Sequence, residues 1–301
     1  MKSIDKDTLL TAAWVGWPLA LYSTVSSSVI PAFARSVIVS GISPSLLLLL
    51  RLALSISLLV GTLFFIDRQK LLIDKQGLKL VSLIGLISGV EICIFFLSLA
   101  HLDASMAAML KSTQPLMVLL ILRLGGETLN RRHLIRIALA MGGVYLLVGP
   151  SGTVSITGII LICISVVLYA LQLIFTQWYL QDYDSRTVTT YLLSWMTVVT
   201  FGWWLFEGAT WQEPSTQSWL IIIVLAIFST YLARLALYAA VPRIGSGQVS
   251  LLWPLQMFLA VIVSVLFLQE HLALSQWIGG LLILSSALLA IERVGRVSVL
   301  R

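Results

Sequence analysis

Two long apolar runs, Gly247–Leu268 and Leu274–Ile291, are separated only by the polar link Gln269-Glu270-His271. Runs close to the ~20 apolar residues that cross a bilayer as a helix leave little other choice of fold. Such runs recur along the whole chain. Ten spans are expected: Leu9–Ile30, Ser45–Ile66, Leu78–Leu99, Ala104–Leu122, Leu134–Val148, Ile156–Leu180, Thr187–Phe206, Trp219–Val241, Gly247–Leu268 and Leu274–Ile291. The apolar pattern continues past Pro31 to Val39, which predicts a longer, kinked first helix. Ala32-Phe33-Ala34 resembles a signal-peptidase site, but the run before it exceeds the ~7–15 residues of a signal peptide, so the span is read as retained. The fold class expected is all-α, integral to the membrane.

Only 11% of the 301 residues are charged and 59% are hydrophobic, against roughly 25% charged in a soluble domain. The net charge of +6 would suit nucleic acid, but the basic residues cluster in short loops between apolar runs. That is membrane topology, and it excludes a nucleic-acid partner. Fifteen Lys and Arg residues fall on one side: Lys2, Lys6, Arg68, Lys70, Lys75, Lys79, Arg123, Arg131, Arg132, Arg136, Arg186, Arg243, Arg293, Arg296 and Arg301. The opposite loops carry only Arg35, and Arg51, Lys111 and Arg234 lie inside spans. The positive-inside rule then puts both termini in the cytoplasm. Cys93 and Cys163 both fall in apolar helices and read as reduced packing residues. Trp203, Trp204, Trp211 and Trp219 read as an interfacial belt.

The chain also repeats itself. Laying Glu127 on Glu270, an offset of 143 residues, sets Leu129 on Leu272, Ile135 on Ile278 and Leu139 on Leu282. Each half has a proline before the Glu (Pro115, Pro254) and a glycine pair after it (Gly142-Gly143, Gly279-Gly280). Two units are expected, residues 1–150 and 151–301. Five spans per unit is an odd number, so the halves enter the membrane from opposite sides. Inverted repeats are typical of secondary transporters, whose site lies near the midplane between the repeats.

Gly245-Ser246-Gly247, then Phe267-Leu268-Gln269-Glu270-His271-Leu272 and Gln276-Trp277-Ile278-Gly279-Gly280, resemble the EamA-type transporters of the drug/metabolite transporter superfamily. In the first half Ser43-Pro44 followed by Arg51, Ala104-Ser105-Met106-Ala107-Ala108, and Gly126-Glu127 carry the same likeness. Two departures stand out. Gln269 replaces the usual Gly before the second Glu, and the prolines sit 12 and 16 residues before theirs, on either side of the usual spacing. The resemblance implies a ten-helix inner-membrane carrier and leaves the substrate open.

Ionisable groups inside spans are costly and mark functional sites by default. At ~1.5 Å per residue, Arg51, Glu91 and Lys111 lie about 10, 14 and 10 Å from the outer ends of their spans, close enough in depth to meet. Arg234 lies about 24 Å down by the same count. Polar faces at helical spacing extend this set: Thr230, Tyr231, Arg234 and Tyr238; Ser165, Tyr169, Gln172 and Thr176; Lys111 and Gln114; and Tyr22 with Ser23, Ser26 and Ser27. Trp253 completes the candidate lining. Hydroxyls and small residues also glue helices together, the preferred reading for Ser23–Ser28 and for the Gly85–Gly89 GxxxG pattern. For the charges, a structural ion pair of Glu91 with Arg51 or Lys111 stands beside substrate contact. Pro115 and Pro254 read as hinges or plain kinks, and Glu127 and Glu270 as helix-start and gating residues.

The function expected is secondary active export of small metabolites, such as amino acids or organic anions, by alternating access. Arg51, Lys111 and Arg234 would attract an anionic group while Glu91 balances charge or carries a proton. The alternative of the same fold is a multidrug exporter of cationic compounds; an embedded enzyme or sensor is the remaining class. There is no Walker-type glycine loop, and His101, His133 and His271 lack metal-ligand spacing, so no enzyme, cofactor or metal is expected. The partners expected are a small-molecule substrate and the lipid bilayer, with the chain a monomer or a homodimer.

Overall fold

A computed structural model describes residues 6–114, 155–180, 183–244 and 252–291, with positions 117, 120, 121, 135, 138, 139, 141–143, 145 and 146 between them. Five of the described helices start where the sequence supplies an acceptor just ahead of an apolar run. Ser43 accepts from Leu46 N–H with Pro44 in the first turn of the second span, Pro44–Ile66. Asp74 accepts from Gln76 and Gly77 N–H at the start of the third, Lys75–His101. Ser155 and Asp184 open the sixth and seventh, Ile156–Tyr179 and Ser185–Phe206, and Ser215 opens the eighth at Thr216. These side chains satisfy orphan N–H groups that a helix start otherwise leaves bare. The tenth span is Leu274–Ile291, as expected.

Three spans carry an interruption in their α-helix. The first is two helices, Lys6–Ser28 and Ile30–Val39, broken at Val29 with Pro31 in the first turn of the second piece; the kink expected at Pro31 is there. The fourth, expected from Ala104 to Leu122, is interrupted: helix Ala104–Lys111 is followed by a turn at Ser112 and Thr113, and the described positions beyond it, 114, 117, 120 and 121, are helical. The eighth is one continuous helical run, as expected, but it carries a π-helical stretch, Ile227–Leu232, between the α-helical segments Thr216–Ala226 and Ala233–Ile244. Thr230 Oγ1 donates to the Leu225 carbonyl at 3.0 Å, five residues back, and Ser55 Oγ donates to the Ala226 carbonyl at 3.0 Å. Side chains thus fill acceptors that the wider helical turn leaves open. In the ninth, the described helix is Trp253–Leu268, so Pro254 lies in its first turn, where a missing N–H costs nothing. Before it, residues 245–251 lie outside the described set, as does most of the expected fifth span, whose described positions are helical.

Four helical stretches are long and apolar enough to cross a membrane: Pro44–Ile66, Lys75–His101, Ile156–Thr176 and Thr216–Leu237; Leu255–Leu268 and Leu274–Ser286 are shorter and apolar. Their outward faces carry large apolar side chains such as Phe65, Leu83, Leu220 and Leu266, as lipid demands. The inner faces share one core drawn from both halves, with Leu47, Phe96 and Met109 beside Ile162, Ile222, Val261 and Ile283. Cys93 is buried in it, whereas Cys163, expected to pack, is exposed; its turn of helix faces outward.

Lipid tails are as apolar as leucine, so helices associate by close packing over small residues. The third span shows this along one face. A Cβ at Gly85 would lie 2.6 Å from Trp195 Cβ, and one at Gly89 2.6 Å from Val199 Cβ, both on the seventh span. The GxxxG reading as helix glue is therefore correct. The fifth and tenth spans meet the same way, a Cβ at Gly143 falling 2.6 Å from the Gly279 carbonyl oxygen. In the serine-rich first span Thr24, Ser26 and Ser28 turn their hydroxyls back onto carbonyls of their own helix.

Two outcomes follow from this packing. Gly89→Ala forces an overpacked contact and should cost about 1–3 kcal/mol, read as a lower unfolding midpoint, while Gly202→Ala, with nothing within 4 Å of its Cβ position, should be neutral. At the loop end of the third span, the Tyr183 hydroxyl holds the Asp74 carboxyl below its ordinary value, helped by the Gly77 and Gln76 amides. A depressed carboxylate contributes stability above its unfolded value and loses it as pH falls through the folded one. Tyr183→Phe should therefore move the Asp74 titration upward in carboxyl-resolved NMR.

Candidate functional site

Three spans converge on one carboxylate. Glu91 and Phe95 lie four residues apart on the third span and so share a helix face. Lys111 reaches them from the end of the fourth, its Nζ 2.9 Å from Glu91 Oε1. Ser165 on the sixth donates to the same oxygen at 2.6 Å. The ammonium also stands 3.6 Å from the Phe95 ring centroid and 5.7 Å from that of Tyr169, a cation over two aromatic faces. Glu91 and Lys111 are both buried. Of the two ion pairs the sequence left open for Glu91, this is the one that forms.

Arg51 goes elsewhere. Its Nε donates to Thr230 Oγ1 at 2.8 Å, in the π-helical stretch of the eighth span, and its guanidinium carbon lies 5.6 Å from the Phe96 centroid. Arg234 bears on it electrostatically as a like charge. Arg51 is 5% exposed, and its Nη1 is buried without a hydrogen-bond partner. The same is true of Gln114 Nε2, one turn beyond Lys111. Among the described residues no carboxylate lies within ion-pairing distance of the Arg51 guanidinium. Phe95 and Phe96, neighbours in the chain and edge-to-face at 5.8 Å, stand between the two cations.

The remaining candidates divide. Tyr169 joins the Lys111 cluster. Tyr231 belongs with Arg51's side, its hydroxyl bonded to Thr62, and Arg234 is half-buried there. Gln172 is half-buried, and its backbone carbonyl receives the Thr176 hydroxyl. Tyr22 is exposed. The side chains of Tyr238, Trp253 and Pro254, and all of Pro115 and Glu127, lie outside the described residues.

Glu270 is at a helix start, as expected, but not that of its own helix. Its Oε1 accepts from Ala104 N–H at 2.8 Å and its Oε2 from Ser105 N–H at 3.0 Å, the first turn of the fourth span. Beside it is a residue that sequence reasoning passed over, Arg35. Its Nη1 donates to the Leu99 carbonyl at 2.6 Å and to that of Leu102, its Nη2 pairs with Asp103 at 2.9 Å, and its Nε lies 3.9 Å from Glu270. The signal was present: Arg35 is the lone cation among loops otherwise free of Lys and Arg. Among the described residues no three His, Cys, Asp or Glu side chains group to hold a metal ion.

No curated protein sequence matches the chain. A solved crystal structure, described only as that of a protein, aligns with a TM-score of 0.64 at 18% identity, covering 93% of this chain and 96% of its own; this likeness concerns the fold alone. The EamA-like transporter family matches twice, over residues 14–149 and again over 156–291. On that duplicated match, and on an all-helical structure of apolar spans, the chain belongs to the EamA-like transporter family of the drug/metabolite transporter superfamily and is a ten-helix, two-repeat membrane protein.

Proposed function

We propose that the protein is a secondary active exporter of small metabolites bearing an anionic group, such as amino acids or organic acids, across the inner membrane. Units 1–150 and 151–301 would rock against each other, with both termini cytoplasmic. The observation that carries the reading is Arg51, buried with Nη1 unpartnered. A buried charge without a partner is expensive, and a substrate carboxylate or phosphate supplies the missing acceptor. Gln114 Nε2, a second buried donor without an acceptor, points the same way. Glu91 is already engaged by Lys111 and Ser165, which leaves it poorly placed to receive a cationic drug. The same pair gives the cycle a group for proton coupling: an incoming anion that takes Lys111 frees Glu91 to accept a proton.

Counterflow in proteoliposomes, with amino acids, organic acids, phosphorylated sugars and cationic dyes run with and without a pH gradient, tests this. Anion counterflow should be saturable and should fall at least tenfold in Arg51→Gln, about 1.4 kcal/mol of lost interaction. Counterflow of cationic dyes alone, unaffected by Arg51→Gln and lost in Glu91→Gln, would replace the reading with multidrug export. A second outcome separates binding from folding. Lys111→Met alone strands the Glu91 carboxylate and should cost about 3–5 kcal/mol of stability. The double variant Lys111→Met/Glu91→Gln should recover most of that stability and still fail to transport. Recovered transport in the double variant would make the pair a structural one.

A further inference from the structure

The fourth span begins with Asp103 in the position of a natural helix cap, yet the Asp103 side chain makes no capping bond. It is turned away to Arg35. The two orphan N–H groups of that first turn are taken instead by Glu270, 166 and 165 residues distant in sequence, in the link between the ninth and tenth spans. A local cap would have held the helix just as well. Using a carboxylate from the other repeat makes the start of this helix depend on where the second repeat sits.

The capped helix ends at Lys111. It is thus a rod of eight residues, about 12 Å long at 1.5 Å per residue, with Glu270 at one end and the Glu91–Lys111 pair at the other. A turn at Ser112 and Thr113 follows it, and the described positions 114, 117, 120 and 121 beyond are helical again, so the rod is set off from the rest of its span. Two more contacts gather at the same end of the molecule. Arg35 spans the gap, carrying the last carbonyls of the third span on one side and lying 3.9 Å from Glu270 on the other. Phe33 and Phe267 meet edge-to-face with centroids 5.6 Å apart. Both contacts join the first repeat to the second.

We infer that Glu270 is the latch of a gate: by clamping the Ala104 and Ser105 amides it holds shut the end of the transporter opposite the Lys/Arg-rich loops, and its release opens that end. Breaking the two hydrogen bonds from these amides, at an end where water can replace them, is a reversible change. The latch acts on the site through the rod, so opening and the position of Lys111 change together. None of this depends on what is carried.

Spin labels on the exposed residues Val39 and His271, introduced as cysteines with Cys93→Ser and Cys163→Ser, read the gate in full-length protein in lipid nanodiscs. Val39 lies one turn from Arg35 and His271 next to Glu270, one in each repeat. The parent protein should give mainly one short distance. Glu270→Gln, which cannot accept with both side-chain atoms, should add a longer population, and Glu270→Ala should make it dominant. Glu270→Asp, too short to reach both amides, should fall between parent and Gln, and it carries the test if the Ala variant does not fold. If Glu270→Gln and Glu270→Asp, monodisperse and folded, keep the parent distance and differ only in a lower melting temperature, Glu270 is a plain helix cap and the latch is wrong. Absence of anion counterflow in the parent protein, with the distance shift in the Glu270 variants intact, would count against the substrate reading and leave the latch standing.

Discussion

A bilayer offers a peptide group nothing to bond with, so every backbone donor and acceptor in the spans has to find its partner inside the protein. Regular helix meets that demand by itself. At two places where the described residues leave regular helix, side chains arrive to take the exposed groups. The π-helical stretch of the eighth span is met by Thr230 and by Ser55 from the second. The turn between the third and fourth spans is met by Arg35 on its carbonyl side and Glu270 on its amide side. These repairs also tie distant spans together, and both candidate regions of the protein are built on them.

Charge follows the same logic at higher stakes. Lys111 has Glu91, Ser165 and two aromatic faces. Arg51 has one hydroxyl, one ring and an Nη1 with nothing. Replacing a buried ion pair by apolar residues is often harmless to stability, whereas stranding one member is not. Thr230, which receives Arg51, is also the residue that stabilises the π-helical turn, and such turns gather at functional sites. Arginine and irregular helix are therefore one feature seen from two spans.

The spans themselves were legible because hydropathy reports lipid contact directly. Their ends were less so, since helix outlasts lipid: the third was read as Leu78–Leu99 and runs from Lys75 to His101, out to its cap at Asp74. The breaks were legible only where proline marks them, as at Pro31. Little in Ile227–Leu232 announces a π turn: Thr230 fills one of the open carbonyls, but the other is filled by Ser55 from another span. For the same reason depth along the span could bring Arg51, Glu91 and Lys111 to one level but could not choose their partners. Azimuth decided that, and it turned Glu91 toward Lys111 and Arg51 toward Thr230. Arg35 stood out in the charge count as an exception, while its contacts, 64 to 68 residues away, were out of reach of any local pattern.

Gln269 shows how backbone geometry and position combine. It ends the ninth span at φ 53°, ψ 35°, a left-handed conformation that glycine adopts freely and other residues at a cost of roughly 1–2 kcal/mol. The resemblance noted in the sequence has a glycine at this point, and the geometry supplies the reason: the chain must reverse there to bring the next residue back under the fourth span. The residue so delivered is Glu270, whose two bonds fix the start of the helix that ends at Lys111. The reversal at Gln269, the carboxylate at Glu270 and the buried ammonium at Lys111 are consecutive links in one mechanical path, and it runs from the surface of the second repeat to the centre of the first.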